Sequence, residues 1–359
     1  MTDLAYLPVV QALAEASQRI GNDPLLIQAA GGNTSVKDGD TLWVKGSGLW
    51  LRDALTRPLF APVALSQVRA RVAANEADPV GPALLSALAP PGLRPSIETT
   101  LHALMPHRVV LHVHAVDVIA WAVLPDAQTH LATALEGLDW GWVDYERPGL
   151  PLTRVVAALM KTTAANVLLM GNHGLVVGGD TVAAAEQCLQ AVVARLRRSV
   201  RAAPEADLST LARIVHGTGL QLPPNARSHA VATDPLNLAR ARRGVLYPDH
   251  AVFLGHDLRV APKGIAASLD PANTMNDAAL STWLRAQRAL HNPPPYIAVP
   301  GRGVLTRDDL PEAAHELLVC LADVLQRLPD SPEPLYLPAE EALGLANWEA
   351  EKFRKTLSR

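Results

Sequence analysis

The run Val109-Val110-Leu111-His112-Val113-His114 sets two imidazoles inside a stretch otherwise suited only to a buried strand. Strand side chains alternate between faces, so residues 112 and 114 share one face of whatever sheet contains them. Buried polar rings need partners, and two on one face can converge on a single ion. Residues 167–170 read as another apolar strand, running into Gly171-Asn172-His173-Gly174, where small flanks permit close approach. Upstream, Ser96-Ile97-Glu98-Thr99-Thr100-Leu101-His102 offers a carboxylate. Three nitrogen donors with one replaceable position compose a catalytic zinc site rather than a closed structural one.

With 12 histidines in 359 residues, chance supplies about 0.4 His-x-His pairs, so the pair alone decides nothing. Its weight comes from its company. Glu98 taken by itself reads equally well as a solvated carboxylate on a first helical turn, where the dipole favours it. His102, one turn later, reads as a packing residue or a residue behind the ligands.

Composition narrows the class. A length of 359 residues exceeds one ordinary domain, and 49% hydrophobic with 19% charged residues describes a globular chain with ample core. The net charge of −3 argues against a nucleic-acid partner. Cys188 and Cys320 each lie in an apolar helical pattern and read as core thiols of a reducing compartment. The N-terminus shows no basic and apolar signal pattern, and the apolar stretch 109–124 is too short and too polar to span a bilayer. The expected address is the cytoplasm, with no membrane partner.

Helical spacing predicts a first helix over residues 7–20, then strands over 25–29 and 41–45, a mixed stretch over 53–74 and a proline-rich connection over 79–95. Ser96 is the expected N-cap of a helix containing Glu98 and His102. A strand over 109–114, a helix over 116–123, strands over 143–145 and 167–170 with a helix over 155–162 between them, and a long helix over 181–202 follow. Residues 203–232 read as a bridge. Beyond it, strands are expected over 244–247, 251–254 and 296–299, and helices over 310–328 and 340–357. Asp249, His250 and Arg302 at these strand ends could reach the site, though they read more simply as turn caps.

Gly31-Gly32-Asn33-Thr34-Ser35 and Gly46-Ser47-Gly48 are small, polar and flanked by strands, the composition of backbone anion nests, with Lys37 and Lys45 as sources of charge. Neither fits the P-loop or dinucleotide pattern.

Taken in order, Gly32–Ser35, Val44-Lys45-Gly46-Ser47-Gly48, Ser96-Ile97-Glu98 with His102, His112-Val113-His114 and Asn172-His173-Gly174 resemble the class II aldolase/adducin family. Trp43, Tyr145-Glu146-Arg147-Pro148-Gly149, Tyr247-Pro248-Asp249-His250, Val299-Pro300-Gly301-Arg302-Gly303 and Trp348-Glu349-Ala350-Glu351-Lys352 extend the likeness to the aldolase portion of bifunctional rhamnulose-phosphate aldolase/alcohol dehydrogenase proteins, without a counterpart of the dehydrogenase portion.

The resemblance implies an α/β fold. Residues 1–205 would form a three-layer zinc domain with a central, mainly antiparallel sheet flanked by helices, and residues 206–359 a smaller C-terminal α/β extension. It implies His112, His114 and His173 as ligands of one Zn2+ per subunit (or another divalent metal), and Glu98 as the acid/base. Asn33, Ser47, Gly48 and Ser96 would hold the substrate's phosphate, joined by Lys45. The implied activity is retro-aldol cleavage of a ketose or ketose phosphate through a metal-stabilised enediolate. Dehydration, epimerisation or decarboxylation of a sugar acid are alternatives on the same site, and a metal-free adducin-like module is a remote one. A carbohydrate substrate and a homo-oligomer, commonly a tetramer, are also implied. Ile97 stands where family aldolases often carry a second serine, and Tyr145 and His130 are candidates for the proton donor.

Overall fold

The computed structural model describes residues 7–262 and 275–348. They fall into two compact units, residues 7–122 with 126–197 and residues 123–125 with 198–348.

The first unit is built on a seven-stranded sheet in the order β3-β2-β1-β4-β7-β6-β5. Its strands are β1 (Asn33–Asp38), β2 (Thr41–Lys45), β3 (Phe60–Ala64), β4 (Val109–Val113), β5 (Trp140–Val143), β6 (Val167–Met170) and β7 (Gly174–Gly179). Every pair is antiparallel except β5 with β6. Helix α1 (Pro8–Gly21) covers one face, where Ser17 and Thr34 share a 2.7 Å hydrogen bond. The opposite face carries α3 (Thr99–Leu104) and α6 (Leu150–Leu159), after α2 (Leu65–Ala73), α4 (Val116–Ala122) and α5 (Ala127–Ala134) in the numbering. Leu101, Met105, Val110, Leu152, Val156, Leu168 and Val176 form the core there. A last helix, α7 (Val182–Arg195), packs on β7 and β4.

Alternation along β1 distributes its residues. Thr34 and Val36 turn toward α1, while Asn33, Ser35 and Lys37 turn toward α3, on the face that Val110 and His112 present from the neighbouring β4. Lys37 is buried, and its ammonium donates to the carbonyl oxygens of Met105 and, at 2.6 Å, His107.

The second unit holds a four-stranded sheet, β8 (Leu220–Gln221), β11 (Gly303–Arg307), β10 (Tyr296–Val299) and β9 (Arg259–Val260) in spatial order. Leu211, Ile214, Leu280, Leu284, Ile297 and Leu305 form a core around it, and the helix Glu312–Leu325 is almost wholly buried.

Several sequence expectations change. Residues 25–29 are a turn, because Asp23 accepts the amides of Leu25, Leu26 and Ile27 and so competes with strand formation. The first strand starts later, at Asn33 itself. The mixed stretch contains an edge strand, β3, which tolerates Pro62 because an edge needs no donor on its outer side. The strand expected over 143–145 ends at Val143, the helix over 155–162 is α6, and the long helix stops at Arg195.

The bridge over 203–232 includes the helix Leu208–Val215, capped by Asp207, and Leu211 and Ile214 lie in the second core. Residues 244–247 are irregular, and 251–254 belong to a π-helical turn, His250–Leu254; short apolar runs do not distinguish strand from helix. The helix expected over 340–357 is seen as Ala339–Asn347, and its remainder lies outside the described residues.

Two expected outcomes test this fold. Gly32 has φ +56°, and an added Cβ would lie 2.4 Å from Ile27 Cδ1 and 2.5 Å from the His112 carbonyl oxygen. Gly32→Ala should therefore cost about 2 kcal/mol or more in denaturant unfolding.

Burial, reinforced by the charge of Arg69, lowers the Lys37 ammonium to about 7. An unfolded lysine titrates near about 10.4, so between these values the unfolded chain binds the extra proton. Stability should rise with pH across that window and be lost as pH falls through about 7. Lys37→Met should flatten this component of the profile.

Candidate metal centre

The ends of two adjacent strands meet at the three histidines. His112 lies in β4, paired with Asn33 of β1 on one side and Val176 of β7 on the other, and His114 follows the strand's last residue. His173 sits in the three-residue turn between β6 and β7, where Asn172 takes φ +52° and the His173 amide donates to the Met170 carbonyl. The next residue must be small: a Cβ at Gly174 would stand 2.5 Å from the Val113 carbonyl oxygen and 3.4 Å from His114 Cδ2.

All three imidazoles are buried, and one ring nitrogen from each lies within 4.8 Å of the others. His112 Nε2 and His114 Nε2 are 3.0 Å apart. Glu98, at the N-cap of α3, places Oε2 3.6 Å from His112 Nε2 and Oε1 3.6 Å from His173 Nε2. Ligands about 2.05 Å from a tetrahedral ion stand about 3.3 Å from one another, so these spacings suit a small cation.

The protonation states agree. Burial lowers His112 well below its ordinary value despite the nearby carboxylate, keeping the ring neutral and able to ligate. Burial also pushes the Glu98 carboxyl up, but His112, His173, His114 and the Asn33 amide outweigh it and hold the group at about 2. Glu98 Oε1 has no hydrogen-bond partner among the described residues. An ionised carboxylate oxygen and facing imidazole nitrogens, buried without enough protons between them, form a donor set that a divalent cation satisfies.

The remaining expected site residues divide. Asn33 Nδ2 donates to Glu98 Oε2 at 2.7 Å and lies 3.4 Å from Ser96 Oγ, which accepts the Glu98 amide. Ser96 therefore caps the turn that presents Glu98, and Glu98 precedes the helix rather than lying within it. Ser47 and Ser96 are brought together by backbone pairing, Ser47 N–H to the Arg94 carbonyl and Ser96 N–H to the Lys45 carbonyl, with Gly48 at φ +75°.

Lys45 does not point its charge outward. Its ammonium donates to the Ala30 and Gly32 carbonyls at 2.8 Å each, holding the glycine turn before β1. Tyr145 is half-buried just past β5, with its backbone against Gly171. His130 is exposed, bonded to Asp126 at 3.0 Å and lying beside Trp121.

In the second unit, Arg302 pairs with Asp207, and His250 accepts the Leu246 amide. The pairing of Ser35 with His102 was missed at sequence level. Its signal was the alternation of polar residues at 33, 35 and 37 in one strand.

A family model for the Class II Aldolase and Adducin N-terminal domain matches residues 11–198. The chain belongs to this family. The first unit is accordingly a class II aldolase domain, and the second, smaller sheet lies in a C-terminal region beyond the match.

The chain is 31% identical over 212 residues to the uncharacterized oxidoreductase YuxG of Bacillus subtilis (strain 168), a match that covers 54% of this chain and 30% of that protein. It thus spans about 30% of the length of that curated relative. Among solved structures, the N-terminal class II aldolase domain of a conserved protein from Thermoplasma acidophilum is 25% identical, with a TM-score of 0.46, 55% of this chain and 95% of that one covered. An L-fuculose-1-phosphate aldolase from Thermus thermophilus is 16% identical, with a TM-score of 0.36 and coverage of 52% and 91%. No helix among the described residues is long and apolar enough to cross a membrane.

Removing one imidazole should abolish tight binding. His112→Ala and His173→Ala should each lose the bound divalent ion on dialysis, read by elemental analysis, while a folded circular-dichroism spectrum is retained.

Proposed function

We propose that this chain is a zinc-dependent lyase that cleaves a ketose or ketose phosphate by a retro-aldol reaction. The observation that carries the reading is the convergence of three buried imidazoles with an ionised carboxylate, one oxygen of which has no hydrogen-bond partner among the described residues. Three imidazole nitrogens and one displaceable oxygen favour zinc over harder cations, which prefer oxygen throughout.

His112, His114 and His173 would hold the ion. When bound, zinc would act as a Lewis acid on the charge that develops on the substrate's carbonyl and hydroxyl oxygens. Glu98 begins ionised, so in condensation it can take the proton from the carbon beside the carbonyl; in cleavage the proton given up by the substrate hydroxyl must reach Glu98 before Glu98 delivers it to that carbon. The hydroxyl proton of the departing aldehyde needs a second group, and Tyr145 is the residue we assign. Ser47, Gly48, Ser96 and Asn33 hold the anionic end of the substrate in this reading, with Lys45 acting through the Ala30 and Gly32 carbonyls that shape the loop.

Metal analysis followed by a panel of ketose phosphates, ketoses and sugar acids tests the proposal. Aldehyde release that depends on zinc supports it. Carbon dioxide or water loss instead would replace it with decarboxylation or dehydration, and a protein that binds no metal would point to an adducin-like module. Glu98→Gln should retain zinc and lose turnover by about 100-fold or more, whereas unchanged turnover would remove Glu98 from the reaction.

A further inference from the structure

The carboxylate segment is held to β1 by three polar contacts at alternate positions of that strand. Asn33 bonds Glu98 Oε2 at 2.7 Å, Ser35 Oγ and His102 Nδ1 lie 2.7 Å apart, and Lys37 takes the Met105 and His107 carbonyls. The first contact touches the carboxylate itself, and the last touches backbone beyond the helix. Of the three, the middle one ties a side chain of α3 to the strand.

We propose that Ser35 and His102 are a positioning pair for Glu98, fixing α3 on β1 so that the carboxylate meets the three histidines; this rests on Glu98 being the acid/base of the reaction proposed above. Helix α3 runs only from Thr99 to Leu104, with no side-chain bond at its N-cap. A helix so short does not hold its own geometry. His102 lies one turn beyond Glu98, and its amide donates to the Glu98 carbonyl at 3.2 Å, so a shift of the imidazole moves the base.

The ring is fully buried and, because of that burial, stays neutral. Its Nε2 has no hydrogen-bond partner among the described residues. An unpartnered buried nitrogen costs free energy that a leucine in the same place would avoid. The imidazole offers what leucine lacks, a directional bond that fixes the rotation and sliding of α3 against the sheet. Apolar packing around Leu101 and Met105 is non-directional, and the other polar ties of α3, Thr100 to Thr153 at 2.7 Å and the Ala103 carbonyl to Arg69 at 2.9 Å, run to α6 and α2 rather than to the strand.

The test uses Ser35→Ala, His102→Leu, His102→Asn and the Ser35→Ala/His102→Leu double variant of the full chain, loaded with zinc for kinetics and cobalt(II) for visible absorption. Glu98→Gln supplies the cobalt spectrum of a site without its carboxylate. Ser35→Ala and His102→Leu should keep full metal stoichiometry, shift the cobalt bands toward those of Glu98→Gln, and lower kcat about 10- to 100-fold. KM should stay within about twofold, and the double variant should be no worse than the poorer single one. His102→Asn, whose amide reaches the position of Nδ1, should recover most of the loss.

A wild-type spectrum and kcat in Ser35→Ala would overturn the proposal, as would a loss of kcat that merely follows lost metal or a lowered Tm. So would a cobalt spectrum that Glu98→Gln leaves unchanged. If His102→Leu fails to fold, Ser35→Ala and His102→Asn decide. If the wild-type chain cleaves no ketose, the proposed function fails, while the cobalt spectra still report whether the pair sets the position of Glu98.

Discussion

Everything near the sheet's functional end follows from burying a carboxylate against three imidazoles. Desolvating an ionised group is costly, and it persists only where compensating donors are fixed in place. Here the compensation comes from the facing imidazoles and a single amide, and one carboxylate oxygen has no hydrogen-bond partner among the described residues. Such a set is poorly satisfied by protons and well satisfied by one cation, so metal affinity and the local fold are linked.

That requirement explains where the fold is inflexible. His112 must stand between β1 and β7, and its carbonyl lies against Gly32, so the turn entering β1 has room only for glycine. Gly174 plays the same part on the other side, letting the turn that carries His173 close on Val113. Lys45 fits this logic too. Its ammonium gathers the Ala30 and Gly32 carbonyls and so fixes the chain from which Asn33 reaches Glu98.

The convergence of His112 and His114 was legible because period-2 geometry puts residues 112 and 114 on one face, whatever else the chain does. His173 and Glu98 were legible only in combination with them and with the family resemblance. The internal donors were not legible. Lys45 read as a group facing a substrate anion, yet whether a lysine faces solvent or a pair of carbonyls depends on a turn some 13–15 residues away in sequence. The second unit was harder still. Residues 251–254 form a short apolar run that suggests a strand, but they belong to a π-helical turn, an outcome that local pattern does not encode.

Strand β1 shows how one alternation can serve two purposes. Its sequence, Asn-Thr-Ser-Val-Lys-Asp, is too polar to look like an inner strand, yet five of its six residues are buried. Thr34 meets Ser17 of α1 on one face, and Asn33, Ser35 and Lys37 meet the segment 98–107 on the other. A core strand of valines would be easier to bury, since each polar group here must find its own partner. It would offer no bond to His102 of α3, whose other polar ties, through Thr100 and the Ala103 carbonyl, run to helices. The polar strand fixes register as well as contact, and register is what the proposed acid/base role of Glu98 beside a metal would require, because such a group's reach is set to within fractions of an ångström.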